Sequence, residues 1–137
     1  MILDDFNIMS DDQEETTVDT HVSDQTIDLS AAKRGGRGNP VRIRVRVRDA
    51  VTSDGAATVQ FKIETCAEST FSSATELYDS GAIGKATLVA GYMVFDGYVP
   101  GTVLRYLRVT YTIADAALTA GSFDAAIMLQ ADDHDQI

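Results

Sequence analysis

The sequence predicts an all-β fold, a jelly-roll-like two-sheet β-sandwich led by an extended acidic N-terminal arm. Three observations predict it. Val41 to Arg48 alternates strictly between aliphatic residues and arginine, which is the two-residue period of a half-buried strand. Further runs rich in β-branched and aromatic residues follow, separated by glycine- and proline-containing turns. No stretch carries the 3.6-residue apolar repeat of an amphipathic helix.

Taken in chain order, residues 1–25 form the arm, 26–131 the sandwich and 132–137 a polar tail. The first 28 residues hold nine acids and no lysine or arginine, so the arm lacks the means to fold alone and is expected to order on a partner. Seven of the eleven bases follow within residues 33–48: Lys33, Arg34, Arg37, Arg42, Arg44, Arg46 and Arg48. After Pro40, Val41, Ile43, Val45 and Val47 face a core and the four arginines the other side. Ser53-Asp54-Gly55 marks a turn, and Thr58–Glu64 is a strand with Val59, Phe61 and Ile63 inward. A polar stretch, Glu68–Ser73, precedes a short strand at Thr75–Asp79 and a turn at Ser80-Gly81. Thr87–Val99 carries one or two strands with Gly91 and Gly97 as bulges or breaks, and Pro100-Gly101 is a turn. Leu104–Ile113 turns Leu107, Val109, Tyr111 and Ile113 inward; after a loop at 114–121, Phe123–Gln130 does the same with Phe123, Ala125, Ile127 and Leu129. Periodicity leaves the strand order open.

Composition narrows the chemistry. A net charge of -10 argues against nucleic-acid binding, whose affinity comes from cations that neutralise phosphates. The longest nearly apolar stretch without charge, Ala86–Phe95, is too short to span a bilayer, and the start lacks the basic and apolar regions of a secretory signal. Cys66 is the single cysteine, so neither an internal disulfide nor a cysteine-built zinc site can form; it reads as an inert small side chain.

Catalytic ingredients are scarce. His21 lies in the acidic arm and His134 in the tail, neither on an element expected to hold it. Asp132, Asp133, His134 and Asp135 lack the glycine and ligand spacing of a calcium loop. Gly84-Lys85 fails as a phosphate loop at both ends, with Asp79 where a glycine and Ala86 where a hydroxyl residue would be needed. No enzyme activity and no cofactor is expected.

The unusual feature is the row Arg42, Arg44, Arg46, Arg48. Same-face neighbours on a strand lie about 6.5–7 Å apart, so the row is roughly 20 Å long and favours an anionic partner. Within the chain, nearby acids such as Glu64 or those of the leader can balance it; the alternatives are a neighbouring subunit or a partner protein and, least favoured, nucleic acid. Asp11, Asp12, Glu14 and Glu15 stand out in the leader. These four arginines and four leader acids are the candidate partner-binding residues.

Several stretches, in order, then resemble a known family: Gly36-Arg37-Gly38-Asn39-Pro40 before a strand, Thr52–Thr58, Ser80-Gly81-Ala82-Ile83 before Thr87–Tyr92, Pro100-Gly101 before Arg105–Tyr111, and Phe123 after Thr119-Ala120-Gly121. This series resembles the jelly-roll capsid cement (decoration) proteins of tailed bacteriophages, typified by a Bordetella phage cement protein, over roughly residues 26–131. The resemblance implies a jelly roll attached to the outer capsid surface of the virion after synthesis in the host cytoplasm, without catalysis. It implies the major capsid protein as partner, but supplies no matched binding residues. Such lattice proteins commonly form closed symmetric oligomers, and a homodimer is expected, with a trimer as runner-up. A phage tail, fibre or carbohydrate-binding sandwich is the alternative; it is disfavoured because Tyr78, Tyr92, Tyr98, Tyr106 and Tyr111 are scattered and tryptophan is absent.

Overall fold

The structure, a computed structural model, describes residues 8–28, 42–99 and 103–128. Nine strands make up its regular structure: β1 (Ile8–Glu14), β2 (Asp19–Val22), β3 (Ile27–Asp28), β4 (Arg42–Thr52), β5 (Thr58–Cys66), β6 (Thr75–Gly84), β7 (Met93–Tyr98), β8 (Tyr106–Ala114) and β9 (Ala120–Met128). One sheet has the order β1-β9-β4-β7; the other has β2-β8-β5-β6, with β3 also paired to β8. Every pairing is antiparallel. With β2 and β3 taken as one interrupted strand along β8, successive strands distribute between two four-stranded layers in the order of a jelly roll. The expected fold class is the one found.

Periodicity explains why the central strands sit where they do. On β4, Ile43, Val45 and Val47 are fully buried and lie opposite Ile127, Ala125 and Phe123 of β9. On β5, Val59, Phe61 and Ile63 lie opposite Ile113, Tyr111 and Val109 of β8 and are equally buried. Phe61 and Tyr111 from one sheet meet Phe123 from the other: Phe61 packs edge-on to both, at 5.7 and 5.2 Å between centroids, and Tyr111 stacks on Phe123 at 4.9 Å. Burying each such side chain contributes about 1.5–3 kcal/mol, so these three rings form a large part of what holds the layers together.

The acidic N-terminal segment is a correction to the expected arm. Its described residues are extended, but they are built into both sheets: β1 is an edge strand paired with β9, and β2 and β3 pair with β8. The boundary expected after residue 25 therefore does not separate an arm from the sandwich. Met9 has no exposed surface and Ile27 is buried, while Asp11, Asp12 and Glu14 stay in water. Two register shifts, between Ile8 and Ser10 and between Ser10 and Gln13, break the period of β1. Asp12, with φ of 56°, adopts the left-handed conformation that aspartate tolerates better than most residues, at the second shift.

Buried polar groups fasten this segment. The Tyr111 hydroxyl donates to Ser10 Oγ (2.7 Å), Ser10 donates to Gln13 Oε1 (2.6 Å), and Gln13 Nε2 donates to Glu15 (2.7 Å) and to the Val22 carbonyl (3.0 Å). Desolvation raises the Tyr111 phenol far above its ordinary value.

Two smaller expectations are also corrected. Ser80-Gly81 is a bulge inside β6 rather than a turn: Gln60 faces Ala82 but Lys62 faces Asp79. Gly81 takes φ of 72°, and Ser80 Oγ accepts the Phe61 N–H in place of a ladder carbonyl. Residues 87–92 are turns rather than strand, with bonds such as Tyr92 N–H to the Val89 carbonyl at 3.0 Å; only Met93–Tyr98 pairs. The features expected at Gly36–Val41, Pro100-Gly101 and Leu129–Gln130, and the polar tail, lie outside the described residues.

Candidate functional site

Alternation on β4 turns Arg42, Arg44, Arg46 and Arg48 to the outer face of the β1-β9-β4-β7 sheet, as expected. Two carboxylates unnoticed in the sequence stand directly across from them: Asp96 of β7 opposite Arg44, and Asp124 of β9 opposite Arg46. Asp96 bridges two arginines, with Arg42 Nη2 at 3.1 Å from Oδ1 and Arg44 Nη2 at 3.3 Å from Oδ2. Asp124 accepts from Arg46 Nε at 3.1 Å and lies 3.5 Å from Arg48 Nη1. It also accepts the Asp12 backbone N–H at 2.7 Å, which ties the bulge of β1 to this face.

The leader acids divide. Asp11 reaches Arg48 Nη1 at 2.9 Å and Asp12 lies 3.9 Å from Arg48 Nε, so both join the row at its Arg48 end. Asp124 and then Asp12 do most to hold the Arg48 guanidinium above its ordinary, already fully charged range. Glu15 turns away to His21 Nδ1, at 3.0 Å. Glu14 ends β1 exposed, opposite Ser122. Glu64 does not meet the row, because β5 belongs to the other sheet; there it accepts from Arg108 Nε at 2.9 Å.

These pairs are solvated, most fully at Arg48, and solvated ion pairs contribute little to stability, so the face is a strip of closely packed opposite charges rather than a structural staple. The strands on either side of β4 meet its four guanidinium groups with Asp96 and Asp124, and β1, at the edge of the same sheet, adds Asp11 and Asp12. Arg44 Nε is buried and meets no acceptor among the described residues. On the β7 side the strip is flanked by Met93 opposite Arg46 and Tyr98 opposite Arg42, both exposed. Arginine, tyrosine and methionine are residue types enriched where proteins meet proteins.

The other residues of interest are placed as follows. His21 is not a loose side chain: it sits on β2, with Nε2 2.9 Å from the Thr17 carbonyl. Cys66 is buried at the end of β5. Lys33, Arg34, Arg37 and His134 lie outside the described residues. Among the described residues no helix is long and apolar enough to cross a membrane.

A model of the Bbp16 family matches residues 9–127. The chain belongs to the Bbp16 family. No curated protein matches it. The family bears the name of a Bordetella phage protein, which marks the chain as a phage protein and associates it with the virion. The Bbp16 match begins at Met9, the first fully buried residue of β1, and ends at Ile127, a buried residue near the end of β9. It thus takes in the acidic edge strand along with the arginine row, and the family unit coincides with the jelly roll.

Proposed function

We propose that this chain is a capsid decoration protein: it binds the outer surface of a tailed-phage capsid and stabilises the lattice of major capsid proteins, by binding alone and without catalysis. The observation that carries this reading is the coincidence of the Bbp16 match with the whole jelly roll over residues 9–127, a compact module of a phage family. A decoration protein meets many identical sites at once, so modest contacts suffice when repeated across a lattice. The strip of Arg42, Arg44, Arg46 and Arg48, flanked by Met93 and Tyr98, is the contact face this reading favours. In assembly the chain pairs with itself as a homodimer, a trimer being the other closed arrangement to look for.

Co-sedimentation with purified capsids tests the proposal against glycan-array binding. Saturable binding to capsids without glycan recognition is expected. Glycan binding with no capsid binding would replace the proposal with a carbohydrate-binding module.

A further inference from the structure

We infer that the outer face of the β1-β9-β4-β7 sheet is a docking surface for an acidic segment of a partner protein, and that Asp11 and Asp12 are its displaceable internal occupant. The inference deepens the proposed function and rests on it for the identity of the partner. Charge complementarity carries it. Four guanidinium groups line β4, and the strands beside them supply Asp96 and Asp124; the other carboxylates that pair with the row, Asp11 and Asp12, come from the edge strand, while Asp49, further along β4, accepts from Ser122 instead.

Those two acids are the weakly held members of the strip. The Asp11 side chain is 72% exposed and that of Asp12 51%, whereas Asp96 and Asp124 are 26% and 19% exposed. Asp11 and Asp12 project from the bulge in β1, where register with β9 is already broken. Swinging their side chains aside costs no ladder hydrogen bond, since the Asp12 N–H is held by Asp124 rather than by a strand. A carboxylate from outside then finds Arg48 freed of two of its three carboxylates, with Asp124 alone still 3.5 Å away. Guanidinium groups take carboxylates in two-point geometry, which favours an acidic peptide over a diffuse anion.

The test uses the full chain, a fluorescent polyglutamate peptide and a thymidine oligonucleotide as probes. In D11N/D12N, asparagine keeps the left-handed conformation at position 12, so the bulge survives. Removing two weak internal pairs should tighten polyglutamate binding about threefold to tenfold relative to wild type. D11N alone, at the more exposed site, should show part of the gain. Adding R46Q/R48Q to D11N/D12N should abolish it. Removing the same charge from exposed positions elsewhere, in D19N/D54N, should change binding by less than about twofold, because exposed charges that do not contact the row act on it only through salt-screened water.

An equal gain in D19N/D54N, no gain in D11N/D12N, or a gain that survives R46Q/R48Q would overturn the inference. So would tighter binding of the oligonucleotide than of polyglutamate, which would make the occupant a nucleic acid. Co-sedimentation of the same variants with capsids separates the two readings. The polyglutamate pattern without capsid binding keeps the acidic docking face and removes the capsid as partner. Capsid binding without that pattern keeps the decoration role and removes the internal occupant.

Discussion

Replacing Met9 by alanine tests most directly whether the acidic N-terminal segment belongs to the folded domain. Met9 has no exposed surface and packs in the central core from the edge strand β1. Burying a methionine side chain contributes about 1.5–3 kcal/mol, and truncation adds the cavity left where neighbours cannot close in, so Met9→Ala should cost about 2–5 kcal/mol. Against a typical domain stability of about 5–15 kcal/mol, that is a large fraction. Urea unfolding followed by far-ultraviolet circular dichroism and tyrosine fluorescence, the chain having no tryptophan, should show a lower midpoint with an unchanged slope. Hydrogen exchange at residues 8–14 should accelerate in step. A loss under about 0.5 kcal/mol, the range of ordinary surface changes, would refute the reasoning and return the segment to a loose arm.

Three further perturbations probe the interior. Phe61→Ala removes the ring that packs edge-on to Tyr111 and Phe123 and should cost about 3–5 kcal/mol by urea unfolding; under about 1 kcal/mol would mean the faces of β5 are reversed. Tyr111→Phe removes the hydroxyl that Ser10 accepts and should cost about 1 kcal/mol at neutral pH. Because burial raises the Tyr111 phenol, its contribution is fully present below the unfolded value near pH 10 and is lost as pH rises beyond it, so alkaline unfolding above about pH 10 should be blunted in the variant. Gly55→Ala would place a methyl 2.7 Å from Ala116 Cβ and should cost about 1–3 kcal/mol, read as a fall in the melting temperature.

Legibility in the sequence followed the regularity of the strands. β4, β5 and β8 alternate over most of their length, and their inward residues, such as Val45, Phe61 and Val109, are buried; β9 buries Phe123, Ala125 and Ile127 as expected but also Ser122 and Ala126, which lie between β1 and β4. β1 escaped because two register shifts place Met9 and Ser10, neighbours in sequence, both in buried positions, a pattern no two-residue period describes. The bulge at Ser80-Gly81 was hidden in the same way, looking like a turn because a glycine with positive φ serves both. The arginine row was visible as a pattern, but its partners were not. Asp96 and Asp124 meet Arg44 and Arg46 only through pairings between strands distant in sequence, and local spacing carries no record of register. A lone acid at an outward position on each flanking strand was the available signal. Of the leader acids, Asp11 and Asp12 reach the row, while Glu15 is drawn off by His21 through the short turn between β1 and β2.

Capsid occupancy of an Arg44→Gln, Arg46→Gln double variant, measured by co-sedimentation over a salt series, tests the decoration role and its contact face together. Both side chains lie on the outer face, and their partly solvated pairs with Asp96 and Asp124 are worth roughly 0–1 kcal/mol each, so the variant should fold and melt close to wild type. Losing a desolvated arginine–carboxylate contact at the capsid is a different matter, costing about 2–5 kcal/mol. Wild-type chain should therefore saturate capsids at low salt and loosen as salt rises, and the variant should occupy them poorly throughout. Full occupancy by the variant across the series would contradict a contact made through this face, and no binding by either protein would contradict the decoration role itself.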